Sequence, residues 1–124
     1  MSSLRPLRDA ERSLIVTIIR SKPELLRVLP SVDGMRVEEL NDGGMGSLLL
    51  FPDGCDVRRR SMGRQCAAAE VDDADGVAVS VALNLDEEGR LFELDIWKVD
   101  FSPLLALPAA TGIRIGQKDS GTAV

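Results

Sequence analysis

Glu70, Ser80, Glu93 and Asp95 are the side chains whose types and placement could do chemistry in this chain. Carboxylates a few ångströms apart can share acid and base roles, hold a hard divalent cation through oxygen, or meet a cationic surface. The chain has no histidine. The commonest general base and proton shuttle is therefore missing, together with Ser-His and Cys-His nucleophile pairs and histidine-containing zinc sites. Most hydrolytic mechanisms are excluded on that ground. Cys55 and Cys66 match no metal-ligand spacing and are expected to be reduced, with Cys66 a small apolar residue in strand-like surroundings. No catalytic residue, metal or cofactor is assigned.

Charge narrows the partners further. The net charge is −5. Residues 1–64 carry eleven Lys/Arg against nine Asp/Glu, whereas residues 65–124 carry four against eleven. The acidic half argues against binding a phosphate backbone, which depends on Lys and Arg displacing counterions. The one basic run is Arg58-Arg59-Arg60 with Arg64 close by. The apolar run Leu14–Ile19 is too short for a signal core or a membrane span, so a cytoplasmic location and no membrane partner are expected.

The elements that must position the four residues can be read from periodicity. Leu14, Ile15, Ile18 and Ile19 recur at helical spacing and predict an amphipathic helix from Asp9 to Arg20. Ser21 and Glu24 then form a capping-box pattern around Pro23, predicting a short second helix that stops at Leu29, before Pro30. After Asp33-Gly34 the period changes. MRVEELN and GSLLLF read as strands joined by the glycine-rich turn DGGMG, because no Gly-Lys-Ser/Thr leads from that turn into a helix as a phosphate loop requires. Residues 52–63 read as an exposed loop, and three more strands follow.

The clearest strand is VAVSVALNL, with Val77, Val79, Val81, Leu83 and Leu85 on one face and Ala78, Ser80, Ala82 and Asn84 on the other. On one side, a three-residue loop Ala74-Asp75-Gly76 pairs Asp73 with Val77, placing Val71 opposite Val79 and Ala69 opposite Val81. On the other side, a four-residue loop DEEG pairs Leu85 with Arg90, placing Leu83 opposite Phe92, Val81 opposite Leu94 and Val79 opposite Ile96. These registers put Glu70, Ser80 and Asp95 in one row across three strands, with Glu93 two residues from Asp95. The nearby DDADG fails as an EF-hand loop, since the pattern places Val71 at the first ligand position and Ala82 at the last.

Three uses of that face compete: a divalent-ion site, a paired-carboxylate acid/base site, and an acidic surface partly neutralised by Arg58, Arg59, Arg60 or Arg64. The small residues Cys66, Ala68, Ala78 and Ala82 leave low relief, which favours a protein partner over a small molecule. In FELDIWKVDFSPL the apolar residues change from even to odd positions at Trp97. A bulge near Ile96-Trp97 is expected to return Trp97, Val99 and Phe101 to the core, with Lys98 and Asp100 outside.

DGGMGSL (Asp42 to Leu48) and LNLDEEGRLFELDIWKVDFSPL (Leu83 to Leu104) resemble a small bacterial domain family of unknown function, over about Leu4 to Leu105 and including the Leu-Arg-Pro-Leu approach to the first helix. The resemblance implies no activity. It suggests a role beside toxin and immunity systems, by analogy alone.

The reading is an α+β domain over residues 1–107, in which two N-terminal helices pack on one face of a mainly antiparallel sheet of about five strands. A loosely ordered tail over residues 108–124 follows. The function expected is a non-enzymatic protein-interaction module of immunity or regulatory type. Glu70, Ser80, Glu93 and Asp95 would meet a protein partner bearing a basic patch, without nucleic acid, and the chain would be a monomer or weak dimer. The alternative is a carboxylate enzyme or divalent-metal-dependent ligand binder on the same face.

Overall fold

The structure is a computed structural model that describes residues 4–41, 43–52, 60–108 and 112–116. The chain folds as α+β. It runs β1 (Arg5–Pro6), α1 (Asp9–Arg20), a 3₁₀ helix (Pro23–Val32), β2 (Arg36–Glu39), β3 (Leu48–Phe51), β4 (Met62–Asp72), β5 (Ala78–Asp86), β6 (Leu91–Lys98) and β7 (Arg114–Ile115). All pairings are antiparallel, in the order β1-β2-β3-β6-β5-β4-β7. The five expected strands are present. The sheet has seven because a two-residue strand caps each edge, too short to leave a period-2 pattern in the sequence. The helices also do not open the fold, since β1 precedes them.

Leu14, Ile15, Ile18 and Ile19 are fully buried and share one cluster with Val79, Val81, Leu83, Leu85, Leu94 and Ile96 of the sheet. The amphipathic helix is therefore held by its apolar stripe. At its start the Glu11 carboxylate accepts the Arg8 amide at 2.8 Å, so a one-way glutamate cap lies here, Arg8 having no side-chain acceptor to return it, and none forms at Ser21 and Glu24. Ser21 instead ends α1, its hydroxyl donating to Ile18 O at 2.6 Å. The second helix is 3₁₀ and passes through Pro30, because each turn closes on the third residue and Asp33 N–H donates back to Pro30 O at 3.2 Å.

β2, with Arg36 and Glu39 exposed, lies near the edge under β1, and β3 is interior, as the patterns predict. Of the stretch expected as a loop, Met62 and Gly63 already belong to β4, and residues 53–59 lie outside the described residues. Cys66 is buried with its thiol 3.3 Å from Leu83 O, and burial pushes its pKa up; Cys55 lies outside the described residues. Within the tail, β7 pairs with β4, and Ile113 and Ile115 pack against the core cluster. No helix among the described residues is long and apolar enough to cross a membrane.

Candidate functional site

The outer face of the sheet is set by two hairpins. The β4–β5 turn closes as its residues dictate: Asp73 N–H donates to Val77 O at 2.9 Å, Gly76 takes φ +83°, and Glu70 stands opposite Ser80. The β5–β6 turn is tighter than DEEG suggests. Asp86 N–H donates to Arg90 O at 2.8 Å, leaving Glu87-Glu88-Gly89 as a three-residue loop with Gly89 at φ +83°. The Asp86 carboxylate accepts the amides of Glu88 (2.8 Å) and Arg90 (2.9 Å), which favours that closure. Leu85 then meets Leu91, and one extra residue, Phe92, is inserted before Glu93 meets Asn84.

The tighter turn and this bulge each move the register by one residue, two in all. Leu83 faces Leu94, Val81 faces Ile96, and Val79 faces Lys98. The row expected as Glu70–Ser80–Asp95 is instead Glu70–Ser80–Trp97, while Asp95 lies one row away beside Ala82 and Ala68. The strand runs without a bulge through Ile96-Trp97, so the expected return of Trp97, Val99 and Phe101 to the core does not occur. Trp97 is half-buried outside the core cluster, Val99 is 49% exposed and Phe101 76%. Val99 continues the sheet, its amide donating to Ala78 O at 2.9 Å. Phe101 closes a turn on Lys98 O (2.8 Å) at φ +62°, a left-handed conformation unusual for an aromatic residue.

The acidic groups of this face sit in unequal surroundings. Arg114 of β7 approaches Glu70 (3.5 Å) and Asp72 (3.3 Å), all three being exposed. That neutralisation was expected from Arg58, Arg59, Arg60 or Arg64; the first two lie outside the described residues. Glu93 is half-buried and accepts from Asn84 Nδ2 at 3.1 Å. Burial pushes its pKa up, the Asn84 contact opposes, and the nearby Asp95 charge adds to the rise. Ser47 Oγ lies 3.4 Å from Asp95 Oδ1 and takes the Ile96 amide at 2.8 Å, tying β3 to β6. The structure thus keeps Glu93 and Asp95 together on one strand, with Ser80 and Glu70 toward the Trp97 end.

Two polar centres escaped the sequence reading. Lys98 is 1% exposed and reaches Asp75 (2.7 Å) and Asp73 (2.9 Å). The hydrogen bond that Lys98 donates to Asp75 leads in raising the lysine pKa, against burial. Asp73, which also takes the Leu105 amide at 2.8 Å, is held down to about 2, chiefly by that amide. The second centre is Arg60, 2% exposed, which donates to Leu91 O (2.7 Å), to Leu50 O and to the buried Asp86 (3.3 Å) between the rings of Phe51 and Phe92. No local pattern announces either: the partners are 10 to 31 residues distant, and a Lys in a strand reads as exposed by default.

Elsewhere, a cleft of about 580 Å³ lies between the start of α1, the glycine-rich turn and Leu104–Leu107. Its Arg5 is bound by Glu11 (2.9 and 2.8 Å) and Glu39 (2.9 Å), so its charges cancel locally. No group of three or more Asp, Glu, Cys or His among the described residues could hold a metal ion.

The molecule is thus a single-sheet α+β domain whose outer face combines carboxylates with aromatic and aliphatic side chains. It belongs to the family described as a domain of unknown function (DUF6984), whose profile matches residues 4–108. Comparisons with curated proteins and with solved structures find no match to this chain.

Proposed function

We propose that the protein is a non-enzymatic interaction module that meets a basic partner through the outer face of β5 and β6. The observation that carries this reading is the outward projection of Trp97, Val99 and Phe101 at the end of β6, beside the small residues Ala78 and Ser80 and among Glu70, Asp72, Asp95 and Asp100. An aromatic anchor with small neighbours and a charged rim is the usual composition of an interface centre. Strain supports it: Phe101 holds a left-handed backbone while its ring stands in water, and strain of this kind persists where another demand fixes the residue. A carboxylate rim steers a cationic partner and sets specificity. The role extends to immunity-type or regulatory binding, in which occupancy of the partner is itself the effect.

The test is binding by the full chain. Bait protein is incubated with host extract, and recovered partners are measured against Trp97→Ala, Phe101→Ser and Asp95→Asn baits, with Arg12→Ala on the helix face as control. A partner that is basic, salt-sensitive and lost with the first three substitutions supports the reading. A partner retained by all three but lost with Arg12→Ala would place the interface on the helices and refute it.

A further inference from the structure

The outer face is open at one end. Toward Phe92 it is closed, with the Arg60 guanidinium 5.9 Å from the Phe51 ring centroid and 5.2 Å from that of Phe92. Phe51 and Ala82, neither part of the core cluster, are buried all the same. At the other end Glu70, Asp72, Val99, Asp100 and Phe101 are exposed, and Ala78, Ser80 and Trp97 are half-buried.

That open end has the cross-section of a shallow channel. Glu70, Ser80 and Trp97 form one outward row across β4, β5 and β6. Asp72 and Ala78 form the next, extended by Val99, whose amide donates to Ala78 O at 2.9 Å. The floor is therefore small, made by Ala78 and Ser80 of β5. One wall is aromatic and aliphatic, Trp97 and Val99. The other is acidic, with Glu70 and Asp72 sharing Arg114 at 3.5 and 3.3 Å. The two walls stand on strands two spacings apart, about 10 Å.

These dimensions select the kind of segment that fits. An α-helix is about 10–12 Å across with its side chains, so a helix laid over β5 touches both walls at once. Its side chains at i and i+4 are ~6 Å apart along the axis, close to the ~7 Å that separates Trp97 from Val99 along the strand. An added strand does not fit here. β6 lies between β3 and β5, β4 carries β7 beside Glu70, and the Val99 and Phe101 amides are already taken by Ala78 O and Lys98 O. Recognition at this end therefore runs through side chains. The unlike walls also fix the polarity of the helix: apolar side chains belong against Trp97 and Val99, and Lys or Arg against Glu70 and Asp72.

Resting on the interaction reading above, we propose that the partner docks as an amphipathic α-helix with one basic flank, laid along β5 over Ala78 and Ser80, its apolar side on Trp97 and Val99 and its cations on Glu70 and Asp72.

The probe is a peptide of about 14 residues built from Ala, Leu and Lys, with leucines at i, i+4 and i+7 and lysines along one flank. At that length it is largely coil when free, so helix gained on binding is itself a readout. One counterpart carries a central proline, and another has glutamate in place of each lysine. Binding to the full chain is measured by titration calorimetry and helix gain by difference circular dichroism. The lysine peptide is expected to gain helix and to bind at least about tenfold tighter than either counterpart. Trp97→Ala should weaken it at least about tenfold. Glu70→Lys combined with Asp72→Lys, both at exposed positions, should reverse the preference so that the glutamate peptide binds the tighter. A proline peptide that binds as tightly as the intact one, with both lost in Trp97→Ala, overturns the helical partner and leaves the interaction reading standing. Equal binding of the lysine and glutamate peptides, or a lysine preference that survives the charge reversal, overturns the docking as proposed. Binding of no peptide overturns it too, and the extract experiment then decides the interaction reading by itself. Binding of the lysine peptide that is indifferent to Trp97→Ala and to the charge reversal overturns the interaction reading as well.

Discussion

Gly63→Ala is the smallest substitution that strikes the scaffold under the candidate face. Gly63 sits in the β4 irregularity between Met62 and Arg64, where β4 crosses Asp86 of β5. A Cβ there would lie 2.4 Å from Asp86 O, 2.7 Å from Asp86 C and 2.9 Å from Glu87 N. All three are backbone atoms, so no side chain can rotate away. Reaching ordinary contact requires the strands to part by about 1 Å, and overpacking of that kind costs about 1–3 kcal/mol. Asp86 is also the hub that holds Arg60, Arg90 and the hairpin amides. Loosening one or two of those bonds adds about 1 kcal/mol, for a total near 2–4 kcal/mol. The whole domain is stable by something on the order of 6–18 kcal/mol at this length. The melting temperature should fall by about 6–20 °C. Urea unfolding followed by the single tryptophan and by circular dichroism measures the loss at constant m-value. Gly76→Ala is the comparison: it has φ +83° but open space around it, so it bears only a conformational cost of about 1–2 kcal/mol. A Gly63→Ala protein within about 0.5 kcal/mol of wild type refutes the close strand crossing and the Arg60–Asp86 geometry built on it.

Four other perturbations probe the face directly. Ile96→Ala, in the core, should cost about 2–5 kcal/mol, while Val99→Ala on the outer side should stay within about 0.5 kcal/mol; chemical unfolding that inverts this order would mean that β6 presents its other side to the helices. Phe101→Gly relieves the left-handed strain and should gain about 0.5–1 kcal/mol by thermal unfolding while weakening partner binding. The pH profiles of Glu93→Gln and Asp73→Asn should differ in sign. Because the folded Glu93 pKa is raised, wild type loses stability as pH climbs through it, so Glu93→Gln is the more stable at pH 7 and the difference closes below the ordinary glutamate range. Asp73 is held down to about 2, so its contribution is present above the ordinary aspartate value and lost as pH falls toward 2; Asp73→Asn should flatten that acid limb. Mg²⁺, Ca²⁺ and Mn²⁺ should each leave the melting temperature unchanged, and a gain abolished by Asp95→Asn would favour the metal-binding alternative.

The fold was legible wherever a local pattern coincided with a tertiary demand. The stripe Leu14, Ile15, Ile18 and Ile19 needed a core, and so did Val79, Val81, Leu83 and Leu85; both found it, although Ala82 and Asn84 on the other face of β5 are buried as well. Asp75-Gly76 closed the turn its chemistry favours. The β5–β6 register was misread because DEEG permits loops of three or four residues, and the choice falls to the Asp86 carboxylate. The tighter turn and the Phe92 bulge together displaced Asp95 by one row, whereas Trp97 was expected inside for a separate reason, a bulge at Ile96-Trp97 that does not form. Glu70, Ser80, Glu93 and Asp95 were rightly assigned to one face, since parity along a strand survives such a slip by two. What lay beyond reach was pairing across long separations: Arg60 with Leu91, Lys98 with Asp73, and β7 with β4.

Lys98 explains why the strand keeps a face that its apolar pattern argues against. If β6 slipped by one residue, Trp97 and Val99 would enter the core and Lys98 would return to water, a change that hydrophobicity at this end of the strand alone would favour. Two opposing forces act at the same place. Leu94 and Ile96, both fully buried, would be driven outward by the slip. Lys98 in its present position finds Asp73 and Asp75, two carboxylates that the β4–β5 turn presents to it, and Asp73 also holds the Leu105 amide of the segment that leaves the sheet. Once Asp73 is buried, slipping Lys98 away would strand a carboxylate without its cation, and an uncompensated buried charge is the most costly error available to this hairpin. The ion cluster therefore acts on register more than on net stability. It holds the inward side of β6 in place, and Trp97, Val99 and Asp95 on the outward side follow by alternation. Replacing Lys98 with Met, together with Asp73→Asn so that no buried carboxylate is left without its cation, would remove that constraint while keeping the apolar volume. The expected outcome is a folded chain in which Trp97 samples both environments, seen as broadened or doubled indole resonances in NMR spectra. A single unshifted Trp97 resonance in the doubly substituted chain would show that Leu94 and Ile96 suffice to set the face without the lysine.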